Sequence, residues 1–128
     1  MSNRFMILIL GFSFLVSAVP AVGHHSFAAE YDESKPMTLE GVVTRVDWEN
    51  PHVHFYVDVA AADGTVVNWI CETGGPTRLA RRGWTHDSLR PGDRVIVHGF
   101  PAKDASHAVD GRQVTLADGR KIGSESSH

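Results

Sequence analysis

Residues 48–58 read Trp48-Glu49-Asn50-Pro51-His52-Val53-His54-Phe55-Tyr56-Val57-Asp58, and their alternation decides the fold class. Pro51 presets its own φ and drives Asn50 out of the helical region, so the pair marks a turn. Beyond it, Val53, Phe55, Val57 and Val59 point one way, and His52, His54, Tyr56 and Asp58 the other. The pattern predicts a half-buried strand that opens by presenting two imidazoles on its polar face.

Neighbouring segments extend the β pattern in both directions. Residues 38–48 predict a long strand with Val42, Thr44, Val46 and Trp48 on one side, and Gly41 inside it predicts a bulge or sharp bend. Ala62-Asp63-Gly64-Thr65 closes a hairpin, because Asp-Gly supplies the positive φ of such turns. A third strand follows over 66–72, with Val67, Trp69 and Cys71 sharing a face. Gly74-Gly75-Pro76 ends it, and Pro76 and Gly83 bracket a short helix by the proline-in, glycine-out asymmetry. Arg90-Pro91-Gly92-Asp93 turns the chain into a fourth strand over 94–100. A polar loop over 102–111 leads to a fifth strand at 112–116 and a short return at Lys121-Ile122. Three strands, a short helix and two more strands, with a long bent first strand, predict a mainly β protein. The architecture is a five-stranded OB-like Greek-key barrel with one helix between strands 3 and 4. An open β-sandwich is the alternative, and it needs more strands for its core.

The ends of the chain carry different signals. Arg4 is followed by fifteen uncharged residues (5–19), and then by Pro20-Ala21-Val22-Gly23. A basic start, a short apolar run and small residues at the cut predict a secretory signal peptide over 1–23. The apolar run falls short of the roughly 20 residues a transmembrane helix needs, so no membrane span is expected after cleavage. The expected mature protein is soluble and exported, to the periplasm where there is an outer membrane and otherwise to the medium. Residues 24–37 lack a sustained period and predict an extended arm, with Phe27 and Tyr31 available to dock on the body. The barrel domain is expected over 38–122, and residues 123–128 predict a frayed, disordered tail.

About 105 residues then remain, enough for one compact domain. Without Arg4 there are 11 basic and 15 acidic side chains, a net charge of −4. Nucleic-acid binders concentrate positive charge, so that class of partner is not expected. Cys71 is the only cysteine, which excludes an internal disulfide. All eight histidines lie after residue 23, a high density that makes them the candidate chemistry.

Several stretches together resemble a family of uncharacterised exported bacterial proteins, catalogued as a domain of unknown function. They are His24-His25-Ser26-Phe27-Ala28-Ala29-Glu30, Glu49-Asn50-Pro51-His52, Arg82-Gly83-Trp84, Leu89-Arg90-Pro91-Gly92-Asp93 and Leu116-Ala117-Asp118-Gly119-Arg120. The resemblance spans essentially the whole expected mature domain. It implies a small OB-like barrel outside the cytoplasm and no particular activity.

The sharpest chemical expectation concerns the end freed by cleavage. A cut after Gly23 makes His24 the first residue, which offers a metal both its α-amine and its ring nitrogen. A third nitrogen from His52 or His54 completes a planar set that suits Cu(II), and His25 is a further candidate. A cut after Ala21 leaves Val22-Gly23-His24, itself a square-planar chelator. Zinc is the rival metal and wants tetrahedral geometry. An α-amine (pKa about 7.7–8) and a histidine (about 6.5) must both lose protons to bind, so affinity falls in acid. Two plain alternatives stand beside this reading: His24-His25 marks only the processing site, and His52 hydrogen-bonds its own turn.

Other constellations are thinner. Cys71 alternates with Val67 and Trp69 as a small core residue would. Thr73-Gly74-Gly75-Pro76, with Arg78, Arg81 and Arg82 following, lacks the lysine and spacing of a phosphate loop. No G-x-S-x-G or H-E-x-x-H occurs, and no carboxylate pair has a spacing that defines acid–base geometry. The sequence therefore predicts a binding protein without catalysis, taking a metal ion or small ligand. An envelope module for an anionic small molecule or a protein partner is the alternative.

Overall fold

The computed structural model describes residues 27–123. The expected signal peptide, His24, His25 and residues 124–128 lie outside that range. The elements run α1 (Phe27–Glu30), β1 (Met37–Asp47), β2 (His54–Ala60), β3 (Val66–Glu72), α2 (Pro76–Ala80), β4 (Arg94–Pro101), β5 (Ala108–Leu116) and β6 (Lys121–Gly123). The sheet order is β3-β2-β1-β4-β5-β6, and an additional β3–β5 pairing joins the ends. Five strands thus close an OB-like barrel, with β6 as a short sixth strand paired outside it to β5.

Closure depends on β1 serving two neighbours. Its first half, Met37 to Val42, pairs with β4, and its second half, Val42 to Asp47, pairs with β2. At the handover the backbones crowd: a Cβ on Gly41 would sit 2.1 Å from the Asp58 carbonyl oxygen. Gly41 therefore marks a close approach, while the bulge expected there lies between Val43 and Arg45. The extra residue inverts the alternation. Leu39 and Val43 face inward before it, and Val46 and Trp48 pack partly against the core after it. The expected face of Val42, Thr44, Val46 and Trp48 holds only for its last two members.

The rest of the core follows from the alternation read in β2 and β3. Val53, Phe55 and Val57 meet Cys71, Val95, Val97, Val109 and Val114, all at most 2% exposed. Removing the Phe55 ring would cost about 3–5 kcal/mol on the scale of buried aromatic truncations. Helix α2 covers one end of the barrel through Leu79, joined there by Trp84 and Leu89. The helix stops at Ala80, short of Gly83, and Gly83 takes the positive φ of the turn after it.

The fifth strand departs most from expectation. It begins at Ala108, so residues 108–111 are strand where a polar loop is expected. Ala108, Val109 and Asp110 pair in parallel with Ile70, Cys71 and Glu72. Buried Val109 and the β3 edge supply what the local pattern, interrupted by Gly111, does not.

Gly41→Ala is expected to destabilise the protein by about 2–3 kcal/mol or more, because its Cβ meets backbone that no rotamer change can relieve. Urea unfolding checks this. A midpoint unchanged from wild type would mean that β1 does not cross β2 this closely.

Candidate functional site

Val53 sets the site by being immobilised. Its N–H donates to the Gly74 carbonyl at 3.1 Å, and its own carbonyl accepts from the Thr73 amide at 3.0 Å and Thr73 Oγ1 at 2.9 Å. With Val53 pointing into the core, His52 and His54 on either side are directed outward. The β2–β3 register places Glu72 opposite His54, and the β3–β5 register places Asp110 beside Glu72. Their neighbours Phe55, Cys71 and Val109 are fully buried, so His54, Glu72 and Asp110 form a row on the outer surface.

Glu72 is the hub of that row. Its Oε1 lies 2.5 Å from His52 Nδ1, and its Oε2 accepts a hydrogen bond from Tyr31 Oη at 2.6 Å. His54 Nε2 stands 3.9 Å from the same Oε2, an ion-pair separation beyond hydrogen-bond range. The contact is an ion pair when the imidazole is protonated, and among the described residues no hydrogen-bond partner engages His52 Nε2. The His52 side chain is half exposed, whereas Glu72 is largely covered.

The cover comes from the arm. Tyr31 is buried against the barrel and bridges to Ala102, and the Asp32 amide donates to the Pro101 carbonyl. The Lys103 amide donates to the Glu30 carbonyl, and Lys103 Nζ to the Ala28 carbonyl. The one-turn helix α1, too short to show a period, stacks Phe27 on Tyr31 with centroids 5.6 Å apart and packs it edge-on against Phe100 at 5.9 Å. Arg112 lies over the Phe27 ring, 4.2 Å from its centroid, and pairs with Asp110. Aromatic pairs of this kind contribute about 0.5–1.5 kcal/mol each beyond the area they bury.

Burial shifts the groups beneath the arm. The Tyr31 phenol is held well above its ordinary value, first by burial and then by its hydrogen bond to Glu72, so it stays a donor. Asp110 is raised by burial, with Arg112 opposing. Behind the row, burial pushes the Cys71 thiol up to about 12. That thiol is an inert core group.

Of the sequence candidates, the structure brings His52 and His54 to one carboxylate. His24 and His25 lie outside the described residues. Among those described, no three His, Cys, Asp or Glu side chains gather so as to hold a metal ion. Sequence reasoning had Tyr31 only as a residue available to dock, and it missed Glu72, Asp110 and Arg112. Glu72 was within reach, because the Asp63-Gly64 hairpin pairs Ala60 with Val66 and, counting outward, His54 with Glu72.

These features define a class: an OB-like barrel whose outer row of histidines and carboxylates is roofed by an amino-terminal arm. The chain belongs to a family of unknown function (DUF6152), whose model matches residues 13–111. No curated protein matches it. Among solved structures it is similar to the mitochondrial single-stranded DNA binding protein Rim1 of S. cerevisiae. The identity is 12% and the TM-score 0.51, over 65% of this chain and 93% of that one. At that identity the likeness shows the fold alone. No helix among the described residues is long and apolar enough to cross a membrane.

Two measurements test this environment. Cys71 is expected to resist alkylation in the native protein and to react fully in denaturant; prompt native labelling would place it elsewhere. The Asp110 pKa is raised on folding, so between its unfolded and folded values the native state holds a proton that the unfolded chain has released. Stability from this group therefore falls as pH rises through that window, from about 3.9 upward. The stability of wild type relative to Asp110→Asn should decline over the same interval in urea titrations at stepped pH. A constant difference, or a rising one, contradicts the shift.

Proposed function

We propose that this protein is exported and binds Cu(II) without catalysing a reaction. The metal is held by the amine and ring of a mature amino-terminal His24 together with His52, with His25 and His54 as alternates. One observation carries the reading: Glu72 engages Nδ1 of a half-exposed His52 and, through Tyr31, holds the arm that leads back to His24. A carboxylate beside the second nitrogen of a histidine is a usual arrangement behind a metal-binding imidazole. Phe27, the first described residue, stacks on Tyr31, the residue bound to Glu72. A mixed amine and imidazole set favours copper among the divalent ions, and zinc is the rival. The net charge after residue 23 disfavours nucleic acid as the ligand.

A second reading has its own support. Arg82 Nη1 and Trp84 Nε1 are buried donors without partners among the described residues, and buried donors of this kind call for an acceptor. An envelope module that meets an anionic small molecule or protein near α2 would supply one. Such binding would be indifferent to chelators, and a pull-down that survives EDTA would favour it.

Correctly processed protein, its amino terminus verified by intact mass, is expected to take up one Cu(II) with a nitrogen-rich paramagnetic resonance spectrum. His24→Ala and His52→Ala should each alter that spectrum, and uptake should weaken as the medium turns acidic, because the ligands must lose protons to bind. A spectrum identical in both variants would remove the copper site.

A further inference from the structure

Strand β3 leaves half of its outer edge open. Ile70, Cys71 and Glu72 pair with β5, but residues 66–69 have β2 on one side and, among the described residues, no strand on the other. The Ile70 amide donates to the His107 carbonyl, away from β2, and hydrogen-bonding direction alternates along a strand. The backbone groups of Asn68 and Val66 therefore point outward too, whereas the Thr65 carbonyl faces β2 and accepts from the Ala61 amide. The tip between β4 and β5 turns to the arm instead, where Lys103 donates to the Glu30 and Ala28 carbonyls. Native sheets protect an open edge with charge, proline or a bulge. Residues 64–71 contain neither charge nor proline, and the β2–β3 register runs without a shift, unlike those of β1–β2 and β4–β5. Val66, at this edge, is the exposed large apolar side chain among the described residues, at 58%.

We propose that this edge pairs with its own copy: two chains meet antiparallel through β3, about a two-fold axis at Val67, and join their barrels in one sheet. The register follows from the outward groups, which lie one residue to either side of Val67. With Val67 opposite its symmetry mate, Val66 faces Asn68 of the second copy, and the two residues exchange both N–H···O=C bonds. Symmetry repeats the exchange, so the outward donors and acceptors of both chains are satisfied together. Trp69, only partly buried against the core, comes to face Thr65 of the second copy and gains cover. A neutral run meets a neutral run, so no like charges oppose the pairing. An isologous contact closes at two chains instead of growing into a fibre. The inference is independent of both the copper and the anion readings.

The test is sedimentation of the processed protein in EDTA over a concentration series, with two kinds of variant. Wild type is expected at twice the mass of one chain, with monomer appearing on dilution. Val66→Pro removes an outward donor at the first residue of β3, a position that tolerates proline, so its melting profile should stay close to that of wild type. Its association constant should fall at least tenfold, as two lost hydrogen bonds of ordinary net strength imply. Val67→Cys sets two thiols opposite each other on the axis and should cross-link under a mild oxidant. Val66→Cys, which faces Asn68 of the second copy, should cross-link far more slowly, and the buried Cys71 takes no part. A wild type that stays monomeric throughout the series, or a dimer that Val66→Pro leaves intact, overturns the pairing. Equal cross-linking at positions 66 and 67 overturns its register, and the cysteine pair decides the matter even where the proline variant does not fold.

Discussion

Three parallel pairings, Ile70 with Ala108, Cys71 with Val109 and Glu72 with Asp110, close this molecule. They join strands that local hairpins cannot connect, and they bury Cys71 and Val109 completely. The same pairings set Glu72 and Asp110 side by side on the outer surface. The contact that makes a barrel of the sheet therefore also makes a polar row of separate side chains. Fold and site share one constraint, so the site is as rigid as the closure beneath it.

The arm uses that rigidity. Its rings pack on Phe100 and Arg112 from β4 and β5, while the Tyr31 hydroxyl reaches across to β3. The segment thus touches three strands brought together only by closure. Its own residues carry too few apolar contacts to define a second core, so docking depends on where the barrel presents its partners.

The record of local reading varies along the chain for definite reasons. Strand β2, the Asp63-Gly64 hairpin and the face of Val67, Trp69 and Cys71 were legible, because alternation and turn chemistry act over a few residues. Strand β1 was legible as a strand but misassigned as a face, since one extra residue between Val43 and Arg45 inverts the alternation. Gly41 was noticed for the right property and given the wrong consequence: its missing Cβ admits the Asp58 carbonyl. Residues 108–111 read as loop because Asp110 and Gly111 interrupt any apolar pattern, and only the β3 edge makes them strand.

By itself, then, the amino-acid sequence determined the element order, the β2–β3 register and the outward direction of His52 and His54, all consequences of backbone geometry over short spans. Only the tertiary structure decided that Glu72 would lie between His52 and Tyr31, with Asp110 at its side. Those residues are up to 79 positions apart in the chain. Their meeting depends on barrel closure, which no local period encodes.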